Sequence, residues 1–311
     1  MKKLFLTGVL LVMAMSAVQT FGQKQMSKDE LFKAMSALTK TQKPEDIEKA
    51  YVMAKEFVAR FGSDKDKKMV DQIKDFVAKY REHLFFQALK DQKPADAFSV
   101  GKEILAEQPE NTEIYVNLAY GGYNAGAGGS KTFAEDSMAF ARKAIQLIDS
   151  GTMPKNFAPF KDKDETLAFM YFIDGHLSVD RDLKYSVSSI YKATTYESGI
   201  KNTSLPYYLI AAYYEDLYAK LSTGLKAKVD AKSISDAAFK TESESVDNAV
   251  DLMMDAYARA IKRGEIEKEP NVAAWKTRLT QVYKFRKKSD VGLPEYITYI
   301  NTTPLPDPGK F

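Results

Sequence analysis

The chain has 311 residues, of which 45% are hydrophobic and 28% are charged, and its formal net charge is +3. A chain of this length can form one or two domains with a sizeable core. The small, dispersed basic excess gives no reason to expect binding to nucleic acid or to an anionic membrane. Cysteine is absent, which excludes disulfides, thiolate metal sites and a cysteine nucleophile.

Residues 1–22 have the pattern of a cleavable signal peptide. Two lysines follow the first methionine and precede an apolar run over residues 4–15, and Gly22 supplies a small residue before Gln23. The run is shorter than the roughly 20 residues that a membrane-spanning helix needs. We therefore expect cleavage after Gly22 and a mature protein that is periplasmic or secreted, with no stable membrane insertion.

Residues 23–291 have the spacing of consecutive amphipathic helices, because apolar residues recur three and four positions apart. Ser27, with Glu30 three positions later, has the pattern of a capping box at the first helix. Gly62 is placed to end the second helix in the left-handed conformation. About five helix pairs and a closing helix account for this stretch.

Two segments depart from the helical pattern. The polar, serine-bearing segment 229–245 indicates a mobile excursion between helices. Residues 292–311 contain four prolines, and proline disfavours helix interiors. We therefore predict an extended tail that lies on the last helices. Within this tail, residues 296–300 (Tyr-Ile-Thr-Tyr-Ile) have a strand-like pattern. Very little β-structure is expected elsewhere, because apolar alternation with a period of two barely occurs.

The helix pair over residues 111–151 is the clearest, and neighbouring segments repeat its order of small and aromatic residues more weakly. The positions concerned are Ala97, Gly101, Ile104, Leu105, Pro109, Tyr115, Leu118, Ala119, Gly126, Lys143, Ala144, Ile145, Leu147, Tyr257, Ala258, Ala260 and Ile261. In this order they resemble the tetratricopeptide repeat, whose period is about 34 residues. Gly122 stands where that repeat usually has an aromatic residue, and the loop over residues 126–133 is longer.

This resemblance implies an all-α, right-handed solenoid of helical hairpins over residues 23–291. It also implies a non-catalytic scaffold that binds a protein or peptide partner in the cell envelope. In such arrays the first helix of each pair lines the concave face. The expected partner contacts are therefore Tyr115, Asn117, Tyr120, Tyr214 and Tyr218.

The residues that could support catalysis or metal binding do not form a known pattern. The segment 125–132 contains glycines but lacks the two that a phosphate-binding loop requires, and it follows a helix rather than a strand. His83 and His176 have no second histidine at metal-ligand spacing. Asp174 could orient His176 in a turn, but no nucleophile is nearby. We predict no catalytic residue, no cofactor and no metal.

Two other functions are compatible with the sequence. Five tyrosines lie on one predicted helix, namely Tyr207, Tyr208, Tyr213, Tyr214 and Tyr218, and Tyr207, Tyr214 and Tyr218 share a face. They either pack as a buried stripe between helices or, in part and with Tyr115 and Tyr123, line a groove. A protein that binds a small molecule or a glycan would use such tyrosines as a stacking platform inside a closed pocket. A hydrolase with carboxylate chemistry would instead need two carboxyl groups in a cleft, one with a strongly raised pKa.

Overall fold

A computed structural model of the protein describes residues 25–127 and 131–310. The predicted signal peptide and its cleavage site lie outside the described residues. Within these residues the chain is helical and has no strand, which confirms the all-α class. Three short 3₁₀ helices cover Ile200–Asn202, Ile300–Thr302 and Pro308–Lys310. The α-helices are α1 (Lys28–Lys40), α2 (Pro44–Phe61), α3 (Lys67–Lys90), α4 (Pro94–Glu107), α5 (Thr112–Ala127), α6 (Ala134–Asp149), α7 (Lys163–Leu177), α8 (Leu183–Thr194), α9 (Leu205–Asp230), α10 (Asp236–Glu267), α11 (Val272–Lys287) and α12 (Leu293–Tyr299).

The described residues divide into two compact units, the first ending at His83 and the second beginning at Leu84, so that the division falls within α3. In the first unit the predicted capping box is confirmed. The Ser27 side chain accepts from the Glu30 N–H, and the Glu30 carboxylate accepts from the Ser27 N–H at 2.8 Å. The core of this unit consists of Leu31, Met35, Ala50, Tyr51, Ala54, Phe57, Val70, Ile73 and Val77.

The predicted left-handed end of α2 at Gly62 is wrong. Gly62 has a φ of −62°, in the right-handed region. Its N–H donates to the Val58 carbonyl at 2.9 Å, which continues the hydrogen-bond pattern of the helix by one residue.

In the second unit each helix from α4 to α10 packs on the next one along the chain, and α12 packs on α10. Close approach is required where α5 crosses its neighbours at Gly122. A Cβ there would lie 2.6 Å from Cζ of Phe98 and would also collide with the Ser137 hydroxyl. Glycine is therefore required at this position of α5.

The segment 229–245 is mostly helical, and only residues 231–235 form a connection between two helices. Helix α9 continues to Asp230, and α10 begins at Asp236. Ser235 caps α10, because its hydroxyl oxygen accepts a hydrogen bond from the Ala238 N–H at 3.3 Å. No residue from 215 to 248 is buried. The polar composition of this segment therefore reflects exposure of two paired helices, which the 2.6 Å ion pair between Lys228 and Glu242 connects.

The C-terminal segment, expected to be an extended tail, forms α12 and two 3₁₀ helices over much of its length. Gly292, with a φ of +88°, precedes α12, and Pro294 occupies its first turn, where proline is tolerated. The segment does lie on α10, since the Arg259 guanidinium donates to the Thr303 carbonyl at 2.8 Å. Among the helices of the described residues, none is both long and apolar enough to cross a membrane.

Candidate binding cleft

The second unit contains a cleft of about 820 Å³ beside α5, hereafter the α5 cleft. Clefts of roughly 300–1,000 Å³ are typical of ligand sites. The end of α3, the turn that follows it, the start of α4 and one face of α5 form most of its wall. The lining residues are Leu89, Lys90, Gln92, Lys93, Pro94, Asn117, Tyr120, Gly121, Asn124, Ala125, Phe133 and Pro159.

Helical periodicity explains which residues of α5 face the cleft. Asn117, Tyr120, Gly121 and Asn124 follow one another at i, i+3, i+4 and i+7, which places them on one face of the helix. Gly121 also allows α3 to come close, because a Cβ there would lie 2.8 Å from Cδ2 of Leu89.

The aromatic ring of Tyr120 is held by two phenylalanines behind it. Its centroid lies 5.1 Å from that of Phe160 and 5.9 Å from that of Phe169, both in edge-on geometry. The two phenylalanine rings are themselves 4.7 Å apart. Edge-on aromatic contacts are favourable, so the position of the Tyr120 ring at the cleft is fixed by packing.

Asn117 connects α5 to the loop that follows α6. Its side-chain nitrogen donates to the Glu113 carbonyl at 2.9 Å and to the Ala158 carbonyl at 3.3 Å, and the residue is 7% exposed. The Asn117 amide group therefore supports the wall of the cleft on which Pro159 lies.

The end of α3 and the turn that leads to α4 place the two lysines of the cleft. Gln92 adopts a left-handed conformation with a φ of +55°, and the Lys93 N–H donates to the Ala88 carbonyl at 2.9 Å, which closes the end of α3. Pro94 then opens α4. Lys90 and Lys93 are both exposed, and no aspartate or glutamate lines the cleft.

A sequence pattern that helical periodicity does not reveal marks this turn. The pattern K-x-Q-K-P-x-D occurs at residues 40–46 and again at 90–96, fifty residues apart. Each copy joins two consecutive helices, and Gln42 has the same φ of +55° as Gln92. The pattern therefore specifies a helix-to-helix connection with a left-handed glutamine, used once in each unit.

Of the five expected partner contacts, Asn117 and Tyr120 lie together in the α5 cleft. The structure places the other three elsewhere. Tyr115 is half-buried with its ring 5.7 Å from that of Phe140, and Tyr214 is 1% exposed in the core. Tyr218 lines a separate hollow of about 200 Å³ together with Phe285.

That hollow and a second one of about 330 Å³ both include Arg278 in their walls. The Arg278 guanidinium forms a 2.6 Å ion pair with Glu215, and Glu215 also accepts from the Tyr257 hydroxyl at 2.7 Å. Tyr208 and Trp275 line the larger hollow and stack at 4.9 Å. By contrast, Tyr207 and Tyr214, expected in a stacking platform, are 7% and 1% exposed and line neither hollow.

Asp174 and His176 face different partners and do not form a carboxylate-oriented imidazole. The carboxylate of Asp174 accepts from Arg142 at 2.7 Å and from the Tyr185 hydroxyl. Nδ1 of His176 lies 2.7 Å from the Tyr123 hydroxyl, and burial lowers the pKa of His176 and raises that of Tyr123 to about 12.

A carboxyl group with a raised pKa, one of the features that a glycosidase would need, occurs in α10. Burial raises the pKa of Asp255, but this carboxylate is bound to Arg259 at 2.6 Å rather than placed in a cleft. In the part of the chain that the structure describes, no three histidine or acidic side chains are grouped to hold a metal ion.

In the part of the chain that the structure describes, the fold is all-helical and carries a basic, amide-lined cleft on α5. Comparison of the chain with protein-family models, with curated proteins and with solved structures finds no match.

Proposed function

We propose that the protein is an exported, non-catalytic, tetratricopeptide-like scaffold that binds an extended segment of a protein partner of the cell envelope in the α5 cleft. The observation that carries the proposal is the shared face of α5. It presents Asn117, Tyr120 and Asn124 to a cleft of about 820 Å³. The pattern of a signal peptide in residues 1–22 supports a periplasmic or secreted location.

The chemistry of the cleft suits a polypeptide segment. A peptide backbone alternates donors and acceptors, and the side-chain amides of Gln92 and Asn124 offer both. Tyr120, Phe133 and Leu89 provide apolar surface for the side chains of the bound peptide. A ligand bound here would therefore be recognised by its backbone and by at least one apolar side chain.

The repeated turn supports the repeat architecture. Solenoids are built from supersecondary units that recur along the chain. The pattern K-x-Q-K-P-x-D joins α1 to α2 and α3 to α4 with the same left-handed glutamine. The same local unit is thus used twice, as a chain of helical hairpins requires.

Selection from a displayed library of random dodecapeptides on the mature protein, from Gln23, tests the proposal. Asn124 is exposed, so Asn124→Trp fills the cleft without disturbing the core. Asn301 is also exposed and lies outside the cleft, so Asn301→Trp is the matched control. We expect enriched peptides to bind the wild type and the control alike and to bind Asn124→Trp at least about tenfold more weakly, a difference of about 1.4 kcal/mol.

Enrichment of peptides that bind Asn124→Trp as well as the wild type would place the peptide site elsewhere. No enrichment at all would contradict peptide binding.

One observation favours binding of a glycan or small molecule as a second candidate function. Tyr208 stacks on Trp275 beside a hollow of about 330 Å³ that Asn271 and Arg278 also line. Trp275 is the single tryptophan of the chain, so tryptophan fluorescence reports directly on this hollow. Titration with malto- and chito-oligosaccharides should shift the emission of the wild type if the hollow binds sugars. A constant emission across the panel would contradict this function.

A further inference from the structure

We infer that the α5 cleft selects peptide segments that carry carboxylate side chains next to an apolar residue. This inference rests on the proposed function and names the class of peptide. Its starting point is the charge of the wall. Lys90 and Lys93 line the cleft, and none of its lining residues is acidic.

Lys93 forms only a weak ion pair within the protein. Lys93 lies 3.9 Å from Asp91, at the limit of an ion pair, and both side chains are largely exposed. An exposed pair at this distance contributes little to stability. The positive charge of Lys93 is therefore free to serve a bound group.

Helix stability does not explain the position of Lys93. Lys90 lies in the last turn of α3, where a cation complements the helix dipole. Lys93 instead precedes the first turn of α4, where the dipole favours an anion. A carboxylate bound beside Lys93 would interact favourably with this lysine.

The apolar part of the wall indicates that the anion is carried by a peptide rather than free in solution. Tyr120, Phe133 and Leu89 line the same cleft as the lysines. A free inorganic anion would contact the lysines alone. An acidic side chain followed by an apolar one would use both parts of the wall, so it gains from ion pairing and from burial.

The displayed dodecapeptide library tests this inference with two further variants. Lys90→Gln combined with Lys93→Gln removes the two positive charges of the cleft. Lys40→Gln combined with Lys43→Gln is the matched control. It removes two charges at the same positions of the same turn pattern, and neither residue lines the cleft.

We expect peptides selected on the wild type and on the control to be enriched in Asp and Glu relative to the input library, and those selected on the cleft variant to lack this enrichment. Replacing the acidic residues of the strongest binder by Asn and Gln should weaken its binding to the wild type about tenfold. The same replacement should change binding to the cleft variant less than about twofold. Because the lysines are exposed, the effect should decline as salt rises from about 0.1 to 0.5 M.

Enriched peptides without an excess of acidic residues would overturn the inference while leaving peptide binding intact. An equal loss of acidic preference in the Lys40 and Lys43 control would also overturn it, because the effect would then follow net charge rather than the cleft. A library that yields no enriched peptide would overturn both the inference and the proposed function.

Discussion

Nε of Arg142 donates at 2.7 Å to Oδ1 of Asp174, whose side chain is only 1% exposed. The Tyr185 hydroxyl donates to the other carboxylate oxygen, and the Arg142 guanidinium lies 5.0 Å from the centre of the Tyr185 ring. Three helices, α6, α7 and α8, are therefore joined through one buried carboxylate. Such a charge is tolerated in the interior only while its partners remain in place.

Replacing Arg142 by Met should destabilise the protein by about 2 kcal/mol, because it leaves the Asp174 charge with neutral partners only. The loss should be smaller than for a wholly buried pair, since the Arg142 side chain is 46% exposed. Urea unfolding measures it. Lys226→Met, which removes the exposed pair with Asp230, should change stability by less than about 0.5 kcal/mol. Equal effects of the two substitutions would contradict a special role for the Asp174 cluster.

Two glycines within helices should respond to alanine in opposite directions. At Gly122 an added Cβ collides with Ser137 and Phe98, so Gly122→Ala should destabilise the protein by about 1–3 kcal/mol. At Gly224, in α9, a Cβ meets nothing within 4 Å, so Gly224→Ala should stabilise the protein by about 0.5–1 kcal/mol. Thermal and urea unfolding measure both effects. A stabilising Gly122→Ala would show that α5 does not pack as closely as described.

The helices could be predicted from the sequence because their spacing of apolar residues is local. The capping box of α1 was predicted for the same reason, since Ser27 and Glu30 are three residues apart. The polar segment 229–245 was misinterpreted because low hydrophobicity does not distinguish an exposed helix from an irregular loop. The helical content of this segment comes from the pairing of α9 with α10.

The candidate site could be predicted only in part. Asn117 and Tyr120 share a helix face, which periodicity reveals. Lys90 and Lys93 reach the same cleft only because α3 packs beside α5, a contact between residues that are far apart in the sequence. Tyr214 and Tyr218 also share a face, yet one is buried and the other lines a hollow. Periodicity cannot tell how far a neighbouring helix covers a face.

Stability should depend on the protonation of His176. Burial places its pKa in the folded protein below that of the unfolded chain, about 6.5. As pH falls through this value the unfolded chain takes up the proton first, so the free energy of unfolding decreases. His176→Gln should therefore flatten the decline in stability between about pH 7.5 and 5.

Urea unfolding at several pH values measures this profile. A His176→Gln profile that falls as steeply as that of the wild type would show that other groups cause the decline.

The left-handed glutamines of the repeated turn provide the last prediction. Gln42 and Gln92 each adopt a φ of +55°, which costs a residue with a side chain about 1–2 kcal/mol relative to the right-handed form. Glycine adopts this conformation without that cost, although it loses more entropy on folding. Gln92→Gly and Gln42→Gly should therefore each stabilise the protein by about 0.5–1 kcal/mol, whereas Gln87→Gly, inside α3, should destabilise it by about 1 kcal/mol.

Urea unfolding of the single and double variants measures these effects. The two gains should add, because Gln42 and Gln92 lie in different compact units and independent sites are additive. Peptide selection on Gln92→Gly should also retain its acidic preference, since the turn still places Lys90 and Lys93. If Gln92→Gly destabilised the protein while Gln42→Gly stabilised it, relief of the left-handed φ would not account for the second turn, whose hydrogen bonds differ from those of the first.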